Sequence, residues 1–248
     1  MGLAGVVMCG GEGRRLRPLS FYIQKVMIPI GKRQKPLLEY IIRMLRYHGV
    51  TDILLLVGYK YEQILNYFED GSRFQVNINY VQDPEGFKGT GASLLNAYRR
   101  GFLDEYDNII IYYGDILSDI NLRDLINHHI SSNSMATLVL ADKYQVPVGV
   151  AKISGGSIVE LWEKPFLDIN VTIGILALNV GILDELNESY GDRPEVDIMG
   201  DLIPYMIKSG FKVSPYLHRG FWYDVGSVER FEKLDINLLE KIYEYIFR

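Results

Sequence analysis

Gly10-Gly11-Glu12-Gly13-Arg14-Arg15-Leu16-Arg17-Pro18 follows an apolar run, residues 3–9, and this junction decides how the rest of the chain reads. A short apolar run bounded by glycine reads as a buried strand. Glycine at three of the next four positions lets the backbone turn tightly and approach a ligand closely. Arg14, Arg15 and Arg17 then supply a block of guanidinium groups. That combination suits a polyanion such as a triphosphate. Two common phosphate motifs fail here. The dinucleotide pattern G-x-G-x-x-G fits Gly11 and Gly13 but meets Leu16 at its third glycine, and the second strand ends Leu56-Val57-Gly58 with no acidic residue. The pattern G-x-x-x-x-G-K-S/T could be anchored only at Gly31-Lys32, where Val26 and Arg33 stand at the first glycine and the hydroxyl.

Outward from this loop, strand and helix patterns alternate. Residues 37–48 space Leu37, Leu38, Ile41, Ile42 and Leu45 as a helix, closed by Gly49. Strands are expected at 53–57, 76–81 and 109–113. Helices are expected at 62–68, with Ile64, Leu65 and Phe68 inward, and at 92–102. Alternation of this kind implies a mainly parallel sheet covered on both faces, with ligands beyond the carboxyl ends of its strands. The second half is richer in strands, at 136–141, 148–153, 157–162, 173–178 and 213–217, with Gly155-Gly156 as a hairpin turn. A helix is expected at 201–208, and one long amphipathic helix at 228–247. The apolar side of that last helix is wide enough to suggest a homo-oligomer.

The 248 residues suit one domain over 1–248. Apolar runs fall far short of the roughly 18 residues of a membrane span, and no leader opens the chain, so a cytoplasmic location away from membranes is expected. One cysteine, Cys9, excludes a disulfide framework. The net charge of −5 argues against nucleic acid. Within that acidic chain Arg14, Arg15, Arg17, Lys25, Lys32, Arg33 and Lys35 form a basic island, which suits a small anion.

Residues 9–18, with Lys25 and Met27 downstream, resemble the G-G-x-G-T-R-L-x-P and P-K-P-M signature of sugar-phosphate nucleotidyltransferases. Arg14 stands at the family's threonine, and Gln24 and Val26 at its prolines. The resemblance continues through Gly114-Asp115, Gly149-Val150, Glu163-Lys164-Pro165 and Trp222-Tyr223-Asp224-Val225-Gly226, the last similar to W-x-D-I/V-G. Gly89-Thr90-Gly91-Ala92 resembles L-G-T-A/G-G-A, and Ile173-Gly174-Ile175 the N-A-G-I/V-Y strand, with Thr172 in place of the asparagine.

The resemblance implies a Rossmann-like three-layer α/β nucleotidyltransferase fold with a mixed, mainly parallel sheet, lacking the C-terminal β-helix of some relatives. It implies transfer of a nucleotidyl group from an NTP to a sugar 1-phosphate. Arg15 and Lys25 would be catalytic. Gly10, Gly11, Gly13, Arg14, Gln82, Gly89 and Thr90 would hold the nucleotide. Gly149, Glu163, Lys164 and Gly174 would hold the sugar phosphate, and Asp115 and Asp224 would bind Mg2+. The Gly89 segment leans toward mannose-1-phosphate guanylyl transfer. Glucose-1-phosphate thymidylyl-, uridylyl- or cytidylyl transfer is the alternative, and a catalytically silent subunit of the same fold is another. Asp119 reads as a cap for the helix at Leu122. None of the four histidines has a matched role.

Overall fold

The computed structural model describes residues 2–84 and 86–247. In chain order the first half contains β1 (Leu3–Cys9), β2 (Pro29–Ile30), β3 (Lys35–Pro36), α1 (Leu37–Tyr47), β4 (Asp52–Val57) and α2 (Tyr61–Phe68). It continues with β5 (Asn77–Gln82), α3 (Thr90–Arg99), β6 (Asn108–Tyr113), β7 (Ile116–Ser118) and α4 (Leu122–Ser131). The second half adds β8 (Ala136–Ala141), β9 (Tyr144–Gln145), β10 (Val150–Ser154), β11 (Ser157–Trp162), β12 (Phe166–Leu167) and β13 (Val171–Asn179). It ends with α5 (Ile182–Tyr190), α6 (Ile203–Lys208), β14 (Val213–Leu217), β15 (Trp222–Asp224), α7 (Val228–Glu232) and α8 (Ile236–Tyr243).

Seven strands form one sheet in the order β14-β8-β13-β6-β1-β4-β5. The run β6-β1-β4-β5 is parallel, β13 is antiparallel to both neighbours, and β14 is parallel to β8. Buried side chains gather on both faces. Leu38, Ile42, Leu45, Ile64, Leu125 and Leu239 pack one side, and Leu94, Leu183 and Met206 the other. The result is the mixed, mainly parallel three-layer α/β fold that the alternation implies. Among the described residues no helix is long and apolar enough to cross a membrane.

Four local expectations need correction. In α2 the inward face is Ile64 and Phe68 with Tyr61 against the core, and Leu65 is exposed. Asn121, not Asp119, caps α4, accepting from the amides of Arg123 and Asp124. The helix α5 was not expected; it buries only Ile182, Leu183 and Leu186, a short stripe among polar residues. The C-terminal helix is two helices, because Asp235 accepts from the amides of Asn237 and Leu238 and starts α8 afresh. Leu234, Leu239, Tyr243 and Ile246 then turn into the core, where Tyr243 meets Tyr40 edge-on at 5.3 Å. Of the apolar side chains of this segment, Leu234, Leu239 and Ile246 are thus buried within the chain and Phe231 and Ile242 pack partly against the core, while Ile236 and Leu238 stay exposed.

Candidate active site

The glycine-rich loop leaves the carboxyl end of β1 in the middle of the parallel run. Its shape is set by Gln24, which is fully buried. The Gln24 amide donates to the Cys9 carbonyl, its oxygen accepts from the Val26 amide at 2.6 Å, and its backbone N–H donates to Gln63 at 2.7 Å. A buried side-chain amide thus ties down the loop. The Ser20 hydroxyl adds a bond to the Gly13 carbonyl at 2.8 Å. Lys25, between Gln24 and Val26, runs its stem beneath Gly11 and reaches Asp115 Oδ2 at 2.8 Å. Cys9 is buried, which pushes its thiol up to about 12, so it offers no thiolate.

The arginines of the loop separate. Residues 14–16 form a 3-10 turn, and three residues per turn send neighbouring side chains about 120° apart. The Arg15 guanidinium lies against Gly226 and lines the cavity that holds Asp115 and Asp224. Arg14 points outward, 74% exposed, and pairs with Glu12 at 2.8 Å. Arg14, expected to hold the nucleotide, is parted from Arg15 by this turn.

Asp115 and Asp224 are brought together by strand pairing. β15 runs antiparallel to β7 with Asp224 opposite Ile116, and the Val225 amide donates to the Asp115 carbonyl at 2.8 Å. Asp224 accepts from the Gly226 amide at 2.7 Å and from the Arg230 guanidinium. Each carboxylate therefore carries one cation of this chain, Lys25 on Asp115 and Arg230 on Asp224. Among the described residues no group of three or more His, Cys, Asp or Glu side chains is placed to hold a metal. Two carboxylates are nevertheless the set that Mg2+ uses when phosphate oxygens and water complete its shell, so the donors here fit that ion.

Two cavities meet at Asp115 and Tyr113, which line both. The cavity on the side expected to take the nucleotide, the nucleotide-side cavity, has about 340 Å³ and is also lined by Gly10, Gly11, Lys25, Asp83, Gly89 and Thr90. The cavity on the side expected to take the sugar, the sugar-side cavity, has about 660 Å³ and is also lined by Arg15, Gly174, Asp224 and Arg230. Tyr113 is held between them by a 3.3 Å contact with the Thr90 hydroxyl, and burial pushes its phenol up to about 12.

Gly89 and Thr90 have a structural task on the nucleotide side. Gly89 has φ +90°, and a Cβ there would lie 2.2 Å from the Val196 carbonyl, so only glycine fits. The Val196 carbonyl also accepts from the amides of Gly91 and Ala92, the first turn of α3. The Thr90 hydroxyl donates to Asp197 at 2.8 Å and accepts from the Ile198 amide at 3.0 Å. Segment 194–198 thereby latches the wall of the cavity. Gln82 departs from expectation. Its side chain is exposed and lines a hollow with Tyr61, Tyr80, Asp83 and Arg100, and Asp83 alone of the two also lines the nucleotide-side cavity. A one-residue step along an extended chain turns a side chain to the other face.

On the sugar side Gly174 sits in β13 with φ +75°, next to a register shift, and a Cβ there would press on Tyr113 and Ile116. Gly149, Glu163 and Lys164 lie farther out. Gly149 abuts the Glu163 carboxylate, and Glu163 is 75% exposed. Lys164 lines an adjoining cavity of about 450 Å³ with Lys143 and Lys233. Tyr144, Trp222, Asp224 and Arg230 line both this cavity and the sugar-side one, with the Tyr144 and Trp222 rings stacked at 6.4 Å. Arg230 was not singled out in the sequence. The available signal was Ser227, a cap accepting from the Arg230 amide, which starts α7 straight after Asp224. His218 is buried near the cleft, bonded to Asp119, Ser118 and the Phe221 carbonyl. Burial lowers its pKa, but the Asp119 and Phe221 acceptors outweigh this and leave it raised.

A family model described as Nucleotidyl transferase matches residues 4–241, and the chain belongs to that family of enzymes. In sequence it is similar to a UTP–glucose-1-phosphate uridylyltransferase of Synechocystis sp., 29% identical over 91% of this chain and 61% of that protein. It is also similar to a glucose-1-phosphate thymidylyltransferase of Streptomyces griseus, 29% identical over 96% of this chain and 66% of that protein. The chain thus spans about two thirds or less of the length of these relatives. In fold it is similar to HddC from Yersinia pseudotuberculosis complexed with GMP-PN, with a TM-score of 0.70 and 21% identity over 94% of this chain and 97% of that one.

Proposed function

We propose that this chain transfers a nucleotidyl group from an NTP to a sugar 1-phosphate, forming an NDP-sugar and pyrophosphate. The observation that carries the reading is the junction of two cavities at Asp115, with Asp224 beside it, Lys25 on the nucleotide side and Arg15 on the sugar side. An oxygen of the sugar 1-phosphate attacks the α-phosphorus. That P–O bond forms as the bond to the β-phosphate oxygen breaks, and pyrophosphate leaves with the electron pair. No protein nucleophile is needed, so positioning and charge neutralisation supply the rate.

Asp115 and Asp224 would hold Mg2+, which neutralises phosphate charge on both substrates. Lys25 and Arg230, which pair with these carboxylates, would then turn to phosphate oxygens. Arg15 would neutralise phosphate charge on the face opposite Lys25. Lys164 would guide the sugar phosphate from the outer cavity. Gln24 holds the loop by three hydrogen bonds, which speaks against a silent subunit whose loop has lost its shape.

Guanylyl transfer to mannose 1-phosphate is the favoured pair, on the likeness of the Gly89-Thr90-Gly91-Ala92 run. The second reading is pyrimidine transfer to glucose 1-phosphate, supported by the names of the Synechocystis and Streptomyces relatives. A matrix of NTPs against sugar 1-phosphates, read by pyrophosphate release, tests both. Turnover of every pyrimidine triphosphate far ahead of GTP would overturn the guanylyl reading and leave the reaction class standing.

A further inference from the structure

Lys25 lines the nucleotide-side cavity on a long, flexible stem that must be ordered before its charge can act from one place. The stem is confined by the loop above it. A Cβ on Gly13 would lie 3.0 Å from the Lys25 Cβ, and one on Gly11 would lie 3.3 Å from its Cε. The ammonium reaches Asp115 at 2.8 Å. Both fits depend on where the backbone of residues 24–26 stands.

The amides on either side of Lys25 each donate to a glutamine side chain. The Val26 amide donates to Gln24 Oε1 at 2.6 Å, and the Gln24 amide donates to Gln63 Oε1 at 2.7 Å. Gln63 lies on α2, 39 residues beyond Gln24 in the chain. Its Nε2 donates to the Tyr22 carbonyl at 2.9 Å. One side-chain amide thus bridges both ends of the turn that leads into Lys25, with its acceptor on one group and a donor on the other. The junction of β4 and α2 holds the same loop at two further points. The Tyr59 amide donates to the Gly10 carbonyl at 3.2 Å, and the Tyr59 hydroxyl to the Ser20 carbonyl at 3.3 Å. The packing of α2 does not require a glutamine, because it rests on Ile64 and Phe68 with Tyr61 against the core. Ordering a long glutamine costs side-chain entropy, which the two bonds to the turn offset.

We infer that Gln63 is a positioning residue for Lys25. It fixes the backbone of Gln24, and with it the point from which the ammonium is aimed at phosphate charge. The inference rests on the nucleotidyl-transfer reading for the task of Lys25. Gln63 itself is not among the residues lining the nucleotide-side or the sugar-side cavity. Without it the Gln24 amide finds a partner only if the turn moves, and Lys25 moves with the turn. A shift of about 1 Å at a reacting group can cost about 100-fold in rate, whereas the fold loses two bonds at its edge. Rate should therefore respond more than stability.

The test is a mutant cycle with two readouts on the full chain. Gln63→Met keeps the length and helix propensity of the side chain and removes both bonds. It should lower kcat by about 10–100-fold while the KM for either substrate moves less than about 3-fold. Gln63→Glu can still accept from the Gln24 amide and should keep more of kcat. In a Lys25→Ala background Gln63→Met should lower kcat no further, because the group it acts through is gone. The second readout needs no turnover. It is the rate at which an N-hydroxysuccinimide ester acylates Lys25, followed by mass spectrometry against exposed Lys208 as internal standard. Lys25 is 17% exposed and tied to Asp115, so loosening it in Gln63→Met should speed its labelling several-fold. A wild-type kcat in Gln63→Met, an equal fall in kcat without Lys25, or unchanged labelling would each overturn the inference. Faster labelling in Gln63→Met, when wild type releases no pyrophosphate from any substrate pair, would uphold Gln63 and refute the transfer reaction instead.

Discussion

The two halves of the cleft are built differently. On the nucleotide side the backbone is tied down by Gln24 and by the latch between Thr90, Val196 and Asp197, so donors and cations stand ready. On the sugar side the β10–β11 hairpin projects into solvent, with Ile153 72% and Leu161 69% exposed, and Lys164 at its base is half-exposed. A fixed charge costs little reorganisation when the transition state forms, whereas an exposed lysine loses about 2 kcal/mol of rotamer freedom on being ordered. In the proposed reading the nucleotide side is therefore the preorganised half, and the sugar side would be ordered by its substrate.

The carboxylates at the junction serve both halves, so their loss has the largest expected effect. Asp224→Asn should lower kcat by about 10³-fold with little change in Tm, and chelation of divalent cations should do the same to wild type. Undiminished activity in EDTA would remove the metal from the account. Lys25→Ala should come next, lowering kcat by about 10²–10³-fold while the KM for NTP moves much less. A normal kcat would make Lys25 a mere partner of Asp115.

The contrast between the halves sharpens in a pair of variants. Gln24→Ala strands the Cys9 carbonyl and the Val26 amide, at about 1–3 kcal/mol for each group left unpaired, and should lower Tm by several degrees. Lys164→Ala should leave Tm unchanged and raise the KM for sugar 1-phosphate by about 10–100-fold, as expected for one charge-assisted bond. Equal thermal effects from both would break the comparison. The smallest effect is pH-dependent. The raised pKa of His218 means that its protonated form is favoured by folding. The stabilisation is present below the ordinary histidine value of about 6.5 and is lost as pH rises through the raised value. Asp119→Asn should flatten that dependence, a change of about 1–3 °C in Tm between pH 5.5 and 8.5.

What could be read in the sequence was local. The glycine loop, the strand after which Asp115 falls and the exact spans of β8, β11 and β14 follow from short patterns of residue type. Asp115 and Asp224 could be paired only by resemblance, because the β7–β15 ladder that joins them is tertiary. Gln82 was singled out for its chemistry, which does not reveal that its side chain stands exposed at the end of β5. Arg14 was grouped with Arg15 for want of the 3-10 turn that parts them. The Asp235 cap was visible, but apolar spacing ran through it and masked the break. Gln24 looked like a lost proline; that it is a buried brace depends on the Cys9 carbonyl lying above it.

The central claim is that the two cavities meeting at Asp115 bring an NTP and a sugar 1-phosphate together for one displacement. Its most direct measurement is the initial rate of pyrophosphate release with each substrate varied in turn, for wild type and for Asp115→Asn. The account predicts release only when both substrates are present, with NDP-sugar formed in equal amount, and a loss of about 10³-fold in the variant. Release that is independent of the sugar phosphate, or equal in the two proteins, would contradict it.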